Sequence, residues 1–531
     1  MKQFCARGEP QVWIAAAALA VTLLMAVTLI VVVMINGLGA FWPQRLATLD
    51  LNSGQAVLGH ILKEEPLPYK EGTRLQLKTG NRDLYGLDFR WIERSKIKQI
   101  HYQDDVAVVE RESYGDFYGL LTAVVLPQKT VQSGNLWQEL ERGREDADQV
   151  SDKVDKVTGQ IEELNYALER RYKQIQKLKY EGVPETSAQR RNLKHEVDEL
   201  QREFQVLVGK QHALESELHE YRAHFADING RGVEIPLAEI MRYYKPNTMS
   251  LFERAGVYFG KLLELFYTNP RESNTEGGLF PAIFGTVLLI FVMSLFSFPL
   301  GVIAAIYLSE YAGNGPMVRM VRIAVNNLAG IPSIVYGIFG LGFFIYGLGG
   351  TIDQLFFPER LPTPTFGTGG LLWASLTLAL LTVPVVIVTT EEALSAIPGG
   401  VREGSLALGS TRFQTLVRIL IPMASPGIMT GLILSMARAA GEVAPLMITG
   451  VVKLAPALPL DGQFPFLHLD RKFMHLGFHI YDMGFQSPNV EAARPMVFVT
   501  TLLLVLIVLT MSGVAIRLRN KMKKKYTFGT F

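Results

Sequence analysis

Two charged residues stand close together in a long apolar stretch of the sequence, Arg438 and Glu442. Side chains four residues apart on a helix share a face and can contact each other. An arginine in a membrane span costs about 2.5–3.5 kcal/mol on insertion scales, so such a pair must face the interior of a helix bundle or a water-filled path. The planar guanidinium group suits a tetrahedral oxyanion such as phosphate, sulfate or molybdate, because it can donate two parallel hydrogen bonds. Two hypotheses follow: the pair lines an anion path, or it neutralises itself and holds two helices together.

No other set of residues forms a recognisable reaction centre. The sequence from Gly256 to Lys261 resembles a nucleotide-binding glycine loop, but it is one residue short, and Leu262 stands where a magnesium-binding Ser or Thr is required. The single cysteine, Cys5, cannot form an intrachain disulfide. We therefore predict no catalytic residues, no metal site and no directly bound cofactor, and we assign any use of ATP to a different polypeptide.

The composition indicates a membrane protein. Hydrophobic residues make up 49% of the chain, which favours several membrane spans. We predict six spans: Val12–Ile35, Leu279–Leu308, Ile331–Leu348, Gly370–Thr390, Pro426–Val452 and Pro495–Ile516. A cleaved signal peptide is the rival interpretation of the first, but the apolar cores of signal peptides run to only about 7–15 residues, so we expect an uncleaved anchor.

Lysines and arginines in the short loops set the orientation of these spans. Both termini are predicted to be cytoplasmic, because the basic residues then fall mainly inside: Lys2, Arg7, Arg319, Arg322, Arg402, Arg412, Arg418 and those of the C-terminal tail. The net charge of +2 gives no reason to expect nucleic acid. The lysines of 521–525 directly follow a span, where contact with anionic membrane lipid is the simpler expectation.

A long polar insert separates the first two spans and is predicted to lie on the periplasmic side. The alternation from Arg74 to Lys78 predicts a strand, and residues 37–130 are expected to form a β-rich unit. Heptad-like repeats in residues 131–228, broken at Gly182, predict an antiparallel coiled-coil hairpin. The hairpin is either a spacer or a docking arm for a partner. Three residues interrupt its apolar seam: Gly143, Arg171 and Gln211.

The remaining segments complete the predicted domain organisation. Residues 1–36 hold the N-terminal tail and first span, 229–278 a connector back to the membrane, 279–516 a five-helix core, and 517–531 a basic cytoplasmic tail. Within the core, residues 391–422 form a cytoplasmic loop, for which we predict two short helices. Gly409 can end the first in a left-handed conformation, and Thr411 and Gln414 have capping-box spacing for the second. Pro422 and Pro426 are expected to end that second helix at the membrane.

This loop resembles the coupling loop of ABC importer permeases. That family carries E-A-A, three residues, G, nine residues and then I-x-L-P, and the chain matches the spacing from Glu403 through Gly409 to Pro422. Three further blocks resemble PstA-type phosphate permeases: 299–311, 327–337 and 437–446. The last block holds an arginine and an acidic residue where that family has them. The large insert departs from the family's usual compact form.

The resemblance implies a membrane all-α fold, a six-span type I, MetI-like permease carrying the external insert. It implies a transmembrane subunit of an ATP-driven phosphate importer in the bacterial inner membrane, which works by alternating access. It also implies contact with the ATPase through the matched loop residues, which are Glu403, Gly404, Ser405, Gly409, Ile419 and Pro422. The implied partners are a second related permease, an ABC ATPase dimer and a periplasmic phosphate-binding protein. The alternative is a membrane-anchored periplasmic adaptor whose hairpin is the working part.

Overall fold

The computed structural model describes residues 9–68, 71–313 and 315–526. The described residues do not include the predicted cytoplasmic N-terminal tail with Lys2, Cys5 and Arg7. They also do not include the end of the basic C-terminal tail, residues 527–531.

The helices carry the labels used below. They are α1 (Glu9–Gly39), α2 (Arg82–Tyr85), α3 (Leu136–Tyr180), α4 (Ala188–Leu218), α5 (Leu251–Tyr267), α6 (Phe280–Ile306), α7 (Pro316–Leu328), α8 (Ser333–Phe339), α9 (Gly350–Phe356), α10 (Leu371–Ser395), α11 (Gly399–Ala407), α12 (Arg412–Thr415), α13 (Ile421–Gly441), α14 (Ala444–Thr449), α15 (Leu476–Tyr481) and α16 (Val490–Tyr526). Wider π-helical turns cover Tyr307–Tyr311, Gly340–Gly349, Leu416–Leu420 and Asp482–Gln486, and short 3₁₀ turns cover Arg94–Lys96, Leu237–Glu239, Glu272–Asn274 and Pro358–Arg360.

In the described part of the chain, six helical stretches are long and apolar enough to cross a membrane, in agreement with the number predicted. They are Val12–Gly39, Phe280–Tyr311, Ser333–Phe356, Leu371–Ser395, Arg412–Gly441 and Val490–Lys524, which we call the first to sixth spans. The fourth span is the most buried and packs against the second and fifth. Glycines allow this close packing, as small residues do in membrane helices: a Cβ on Gly301 would lie 2.6 Å from the Cβ of Val386, and one on Gly427 would lie 2.4 Å from that of Ala393.

The fifth span differs from its predicted bounds of Pro426–Val452 at both ends. Its helix begins at Arg412 and ends at Gly441. The prediction that Pro422 and Pro426 separate a loop helix from the span was therefore wrong. A π-helical turn at Leu416–Leu420 precedes Pro422, and such local adjustments let a membrane helix continue through proline. At the other end the chain leaves the helix at Glu442 and forms the separate short helix α14.

The insert contains two antiparallel sheets. The strands are β1 (Ala47–Leu51), β2 (Ala56–Pro66), β3 (Thr73–Lys78), β4 (Phe89–Glu93), β5 (Ile97–His101), β6 (Ala107–Arg111), β7 (Phe117–Leu126), β8 (Lys129–Val131), β9 (Arg222–Ala226), β10 (Gly232–Pro236), β11 (Ile240–Tyr244), β12 (Pro270–Arg271) and β13 (Glu276–Gly277). The first sheet has the order β4-β3-β2-β1-β5, and the second has the order β10-β9-β7-β6-β11 with β8 on β7. The last two strands pair with each other.

The helical hairpin of α3 and α4 lies between two paired strands of the second sheet. Leu121 of β7 pairs with Phe225 of β9, although the whole hairpin separates them in sequence. Residues 229–278, expected to be a connector, contribute β10 and β11 to the same sheet. The predicted boundary at 131–228 therefore cuts through one sheet, because strand pairing across a long insertion leaves no local sequence signal.

Each of the residues that interrupt the hairpin seam makes a specific contact. Gly143 packs on the second sheet, where a Cβ would lie 2.6 Å from Cδ2 of Leu126. Arg171 of α3 donates to Glu196 of α4 at 2.5 Å, and Gln211 donates to Thr158 at 3.2 Å. These polar pairs join the two helices where apolar side chains are missing. The hairpin also reaches the loops that follow the third and fifth spans, since α3 packs against Pro358–Arg360 and the Tyr166 hydroxyl donates to the carbonyl of Phe464.

Candidate functional site

The coupling loop is a compact unit of α11 and α12 joined by a tight turn. Gly409 has a φ of 86° and nothing within 4 Å of a would-be Cβ, so backbone conformation, not space, selects glycine there. Thr411 and Gln414 form the predicted capping box at the start of α12, with N–H donors at 3.0 and 3.2 Å. The buried Ser405 hydroxyl lies 2.8 Å from that of Thr415 and ties α11 to α12.

The six predicted coupling residues divide into two groups by exposure. Glu403, Gly404 and Gly409 are exposed, whereas Ser405 is buried and Ile419 and Pro422 are half-buried. The exposed surface around the first three carries large apolar side chains that sequence reasoning did not single out: Leu406, Leu408 and Phe413. Leu408 is 89% exposed, and an apolar patch of this kind marks an interaction surface.

Arg402 ties the coupling loop to the end of the second span. Its guanidinium group donates to the Glu310 carboxylate from Nη2 at 2.8 Å and from Nε at 3.2 Å. The same group donates to the backbone carbonyls of Ile397 and Leu394 at 2.8 and 2.7 Å. We call this set of contacts the Arg402–Glu310 clamp. The clamp could not be predicted from the sequence, because Glu310 lies far from Arg402 along the chain; there, Arg402 bears only on the predicted orientation of the spans.

Arg438 and Glu442 come together at the C-terminal end of the fifth span. Arg438 lies in the last turn of the helix, and Glu442 is the residue that ends it, with extended backbone. The prediction that both lie on one helical span was therefore wrong for Glu442. The reason is the packing of α14 against the third span: a Cβ on Gly337 would lie only 2.8 Å from Cα of Pro445, so the chain turns into the bundle instead of continuing the helix.

The contact between the two charges is loose. Arg438 Nε lies 3.7 Å from Glu442 Oε1, and the side chains are 30% and 21% exposed. This distance is too long for a hydrogen bond. Among the residues that the structure describes, Arg438 has no other ion-pair partner and donates no hydrogen bond. The donors of its guanidinium group are therefore available to a ligand, unlike those of Arg402.

A charged cavity of about 350 Å³ lies between the insert and the span ends nearest to it. Lys78 contacts Asp116 at 2.6 Å, and Lys261 forms an ion pair with Glu110. Burial opposes the charge on Lys78, but the attraction of Asp116, Tyr118 and Glu276 and the hydrogen bond to Asp116 together outweigh burial and raise the pKa of Lys78. Burial, reinforced by repulsion from Asp116, raises the pKa of Glu276 to about 7. This cavity could not be predicted from the sequence, because its residues come from strands, turns and a span far apart in the chain.

The cavity also holds a histidine that stays neutral near physiological pH. Burial, reinforced by the charge of Lys78, lowers the pKa of His60 to about 4. The cavity and its paired charges connect the insert to the membrane core: Asn489, at the start of the sixth span, donates to Asp88 of the insert at 3.3 Å.

Comparison with known protein families finds a match for the part of the chain that contains the third to sixth spans. Residues 297–524 match the family described as "Binding-protein-dependent transport system inner membrane component". The matched region includes the coupling loop and the Arg438–Glu442 pair, and the insert lies outside it.

Individual relatives agree with this match. The chain is 40% identical over 172 residues to the "Phosphate transport system permease protein PstA" of Mycobacterium leprae, which is 32% of this chain and 51% of the relative. It is 34% identical over 221 residues to the "Probable phosphate transport system permease protein PstA" of Methanocaldococcus jannaschii (41% and 67%). It is 33% identical over 225 residues to the "Probable ABC transporter permease protein YqgI" of Bacillus subtilis (41% and 70%). The chain thus spans between 51% and 70% of the length of these relatives. Together with the six apolar helices, these matches confirm the predicted helical permease core, and the chain belongs to the PstA-type family of binding-protein-dependent ABC transporter permeases.

Proposed function

We propose that the chain is a transmembrane subunit of an ATP-driven importer of inorganic phosphate, and that Arg438 contacts the anion in the translocation path. The observation that carries this proposal is the loose pair at the end of the fifth span, where a partly exposed guanidinium group keeps its donors available. An arginine that served only to neutralise Glu442 would form close hydrogen bonds with it. Glu442 holds the guanidinium group in place when no anion is bound.

Phosphate is the proposed substrate because the relatives from Mycobacterium leprae and Methanocaldococcus jannaschii carry phosphate transport in their names. The guanidinium chemistry alone also suits sulfate and molybdate. The adaptor alternative is not favoured, since the family match covers the third to sixth spans and part of the second, and not the insert.

In the proposed assembly, the coupling loop docks on a separate ABC ATPase. Glu403, Gly404 and Gly409 form the contact surface together with the exposed apolar side chains beside them, and Ser405, Ile419 and Pro422 maintain its shape. The chain itself binds no nucleotide. A second related permease completes the path, and a periplasmic phosphate-binding protein delivers the anion. Both termini are cytoplasmic and the insert is periplasmic in the bacterial inner membrane.

The test is phosphate uptake by the assembled transporter carrying Arg438→Gln or Arg438→Lys. A hydrogen bond to a charged group contributes about 1.5–3 kcal/mol, so Arg438→Gln should lower uptake by at least about tenfold. Arg438→Lys should retain part of it, because lysine keeps the charge but loses the two parallel donors. Arg519→Gln is the matched control: Arg519 lies on the sixth span and contacts Thr430 at 3.4 Å. Unchanged uptake in both Arg438 variants would refute the role of Arg438, and sulfate uptake in place of phosphate uptake would refute the substrate.

A further inference from the structure

Helix α5 is amphipathic, but its apolar face is exposed and its polar face is turned toward the protein, the reverse of a helix on the surface of a water-soluble protein. Its exposed face consists of large apolar side chains at intervals of seven, four and three residues: Phe252, Phe259, Leu263 and Phe266. Phe252 is 91% exposed, and Phe259 and Leu263 are 61% and 62% exposed. This spacing places all four on one side of a helix. Contact of this face with water is therefore unfavourable, because the face is as apolar as a buried surface.

Three of the four charged side chains of the same helix, Arg254, Lys261 and Glu264, point inward and are already paired, whereas the exposed Glu253 caps the first turn by accepting from the Ser250 backbone N–H at 2.7 Å. Lys261 forms an ion pair with Glu110, and the buried Glu264 contacts Arg242 at 3.2 Å and Arg271 at 2.9 Å. Arg254 donates to the carbonyl of Pro246 at 2.7 Å. The helix thus attaches to the insert through its polar side and presents its apolar side outward.

Contacts with three spans fix the height of α5 relative to the membrane. Its carbonyl at Leu265 accepts a hydrogen bond from Leu279, just before the second span, at 2.9 Å. Leu265 also packs in one core cluster with Met496, near the start of the sixth span, and with Phe41, which follows the first span. These three span ends lie on the same side of the membrane in the six-span topology. Trp42 and Tyr258, with ring centroids 5.6 Å apart, are of the residue types that are enriched at membrane interfaces.

We propose that α5 is an interfacial helix that lies in the plane of the membrane on the side of the insert, with its apolar face among the outer acyl chains. The occupant of the face is lipid because α5 adjoins the end of the first span, whose large apolar side chains are exposed along its length: Tyr258 of α5 contacts Trp42, and Leu262 packs in the same cluster as Phe41. The driving force is apolar burial and not attraction to anionic headgroups, since Lys261 and Arg254 are engaged on the inner side. The helix thereby fixes the charged cavity and both sheets of the insert at a constant distance from the membrane.

Site-directed spin labelling in nanodiscs tests this placement without any measurement of transport. The only cysteine of the chain, Cys5, is replaced by serine, and nitroxide labels are attached to the variants Phe259→Cys and Leu263→Cys. The measurement is accessibility to oxygen, which partitions into lipid, against a water-soluble nickel chelate. Leu24→Cys on the first span is the membrane reference, and Val206→Cys on α4 is the aqueous reference, since both side chains are exposed.

We expect both α5 labels to show depth values between those of the two references, with the same values in nanodiscs of neutral and of anionic lipid. Labels at 259 and 263 as accessible to nickel as the label at 206 would overturn the proposal. Labels shielded from both oxygen and nickel would overturn it too, because a protein surface then covers the face: a second copy if this chain alone gives that result, or the second permease if shielding arises only on its addition. Agreement between two label positions guards against a local effect of either substitution.

Discussion

Replacing Glu310 by glutamine should loosen the coupling loop while leaving the rest of the chain folded. The substitution keeps the size of the side chain but removes the charge from the Arg402–Glu310 clamp, which holds α11 against the end of the second span. Arg402 would still donate to the carbonyls of Leu394 and Ile397. The loss therefore falls on the contact between the loop and the second span.

The burial of the clamp sets the size of the effect. The side chains of Arg402 and Glu310 are 26% and 16% exposed, which places the pair between exposed ion pairs, worth about 0–1 kcal/mol, and buried ones, whose disruption costs about 3–5 kcal/mol. We expect Glu310→Gln to cost about 2 kcal/mol in local stability. At 1.4 kcal/mol per factor of ten, the open fraction of the loop should rise about 30-fold.

Hydrogen exchange of the backbone amides in residues 399–409 measures this opening directly. The amides of α3 and α4 serve as an internal reference and should be unaffected. Glu391→Gln is the matched control: Glu391 contacts Arg322 through a single pair of atoms at 3.3 Å, and Arg322 is 43% exposed, so its effect should not exceed about fivefold. Equal exchange in Glu310→Gln and the parent chain would show that the clamp does not hold the loop. Faster exchange throughout the chain would show that it supports the whole fold instead.

Three further predictions concern the insert and the loop turn. The pKa of Glu276 is raised to about 7 in the folded state, so its charge destabilises that state as pH rises from about 4.5 to 7. Glu276→Gln should therefore melt at the same temperature as the parent at about pH 4 and at a higher temperature at about pH 8. An equal difference in melting temperature at both pH values would contradict this. Gly143→Val should lower the unfolding free energy of the insert by about 1–3 kcal/mol, since its Cβ would meet Leu126 and Leu237. Gly159→Val on the same helix, with open space around it, should cost less than about 1 kcal/mol. Equal denaturation midpoints for the two variants would refute the packing argument. Gly409→Ala should lower the local stability of the loop by about 1 kcal/mol because of the positive φ at this position, and should speed amide exchange in 399–415. Gly404→Ala, inside α11 and without close neighbours, should slow this exchange. Slower exchange in both variants would show that the left-handed turn is not required.

Features encoded by short-range chemistry could be predicted from the sequence. The six spans follow from long apolar stretches. The turn at Gly409 and the capping box at Thr411 involve residues no more than a few positions apart, and the structure has both. The bounds of the fifth span could not be predicted, because a π-helical turn carries the helix through Pro422 and because a contact with Gly337 of another span turns the chain inward after Gly441.

The insert shows the same limit over longer distances. Heptad spacing indicates where two helices occur, but it cannot reveal that β7 and β9 pair on either side of them. In α5 the alternation of apolar and charged residues predicts an amphipathic helix, yet the pattern is identical whether the apolar side faces a protein core or lipid. Only the ion pairs of Lys261 and Glu264 with the sheet and strand residues show which side is inside.

Arg402 and Arg438 show why residue type alone does not identify a binding site. Both are arginines of the matched permease region, each has an acidic partner, and each is partly exposed. Arg402 uses its donors on a carboxylate and two carbonyls at 2.7–3.2 Å, so a ligand would have to displace several hydrogen bonds to reach it. Within the described residues, the one ion pair of Arg438 is 3.7 Å long, and an oxyanion could bind its guanidinium group without that cost. The capacity to bind an anion therefore depends on which donors the fold leaves unused, and this places the proposed phosphate contact at Arg438 and a structural role at Arg402.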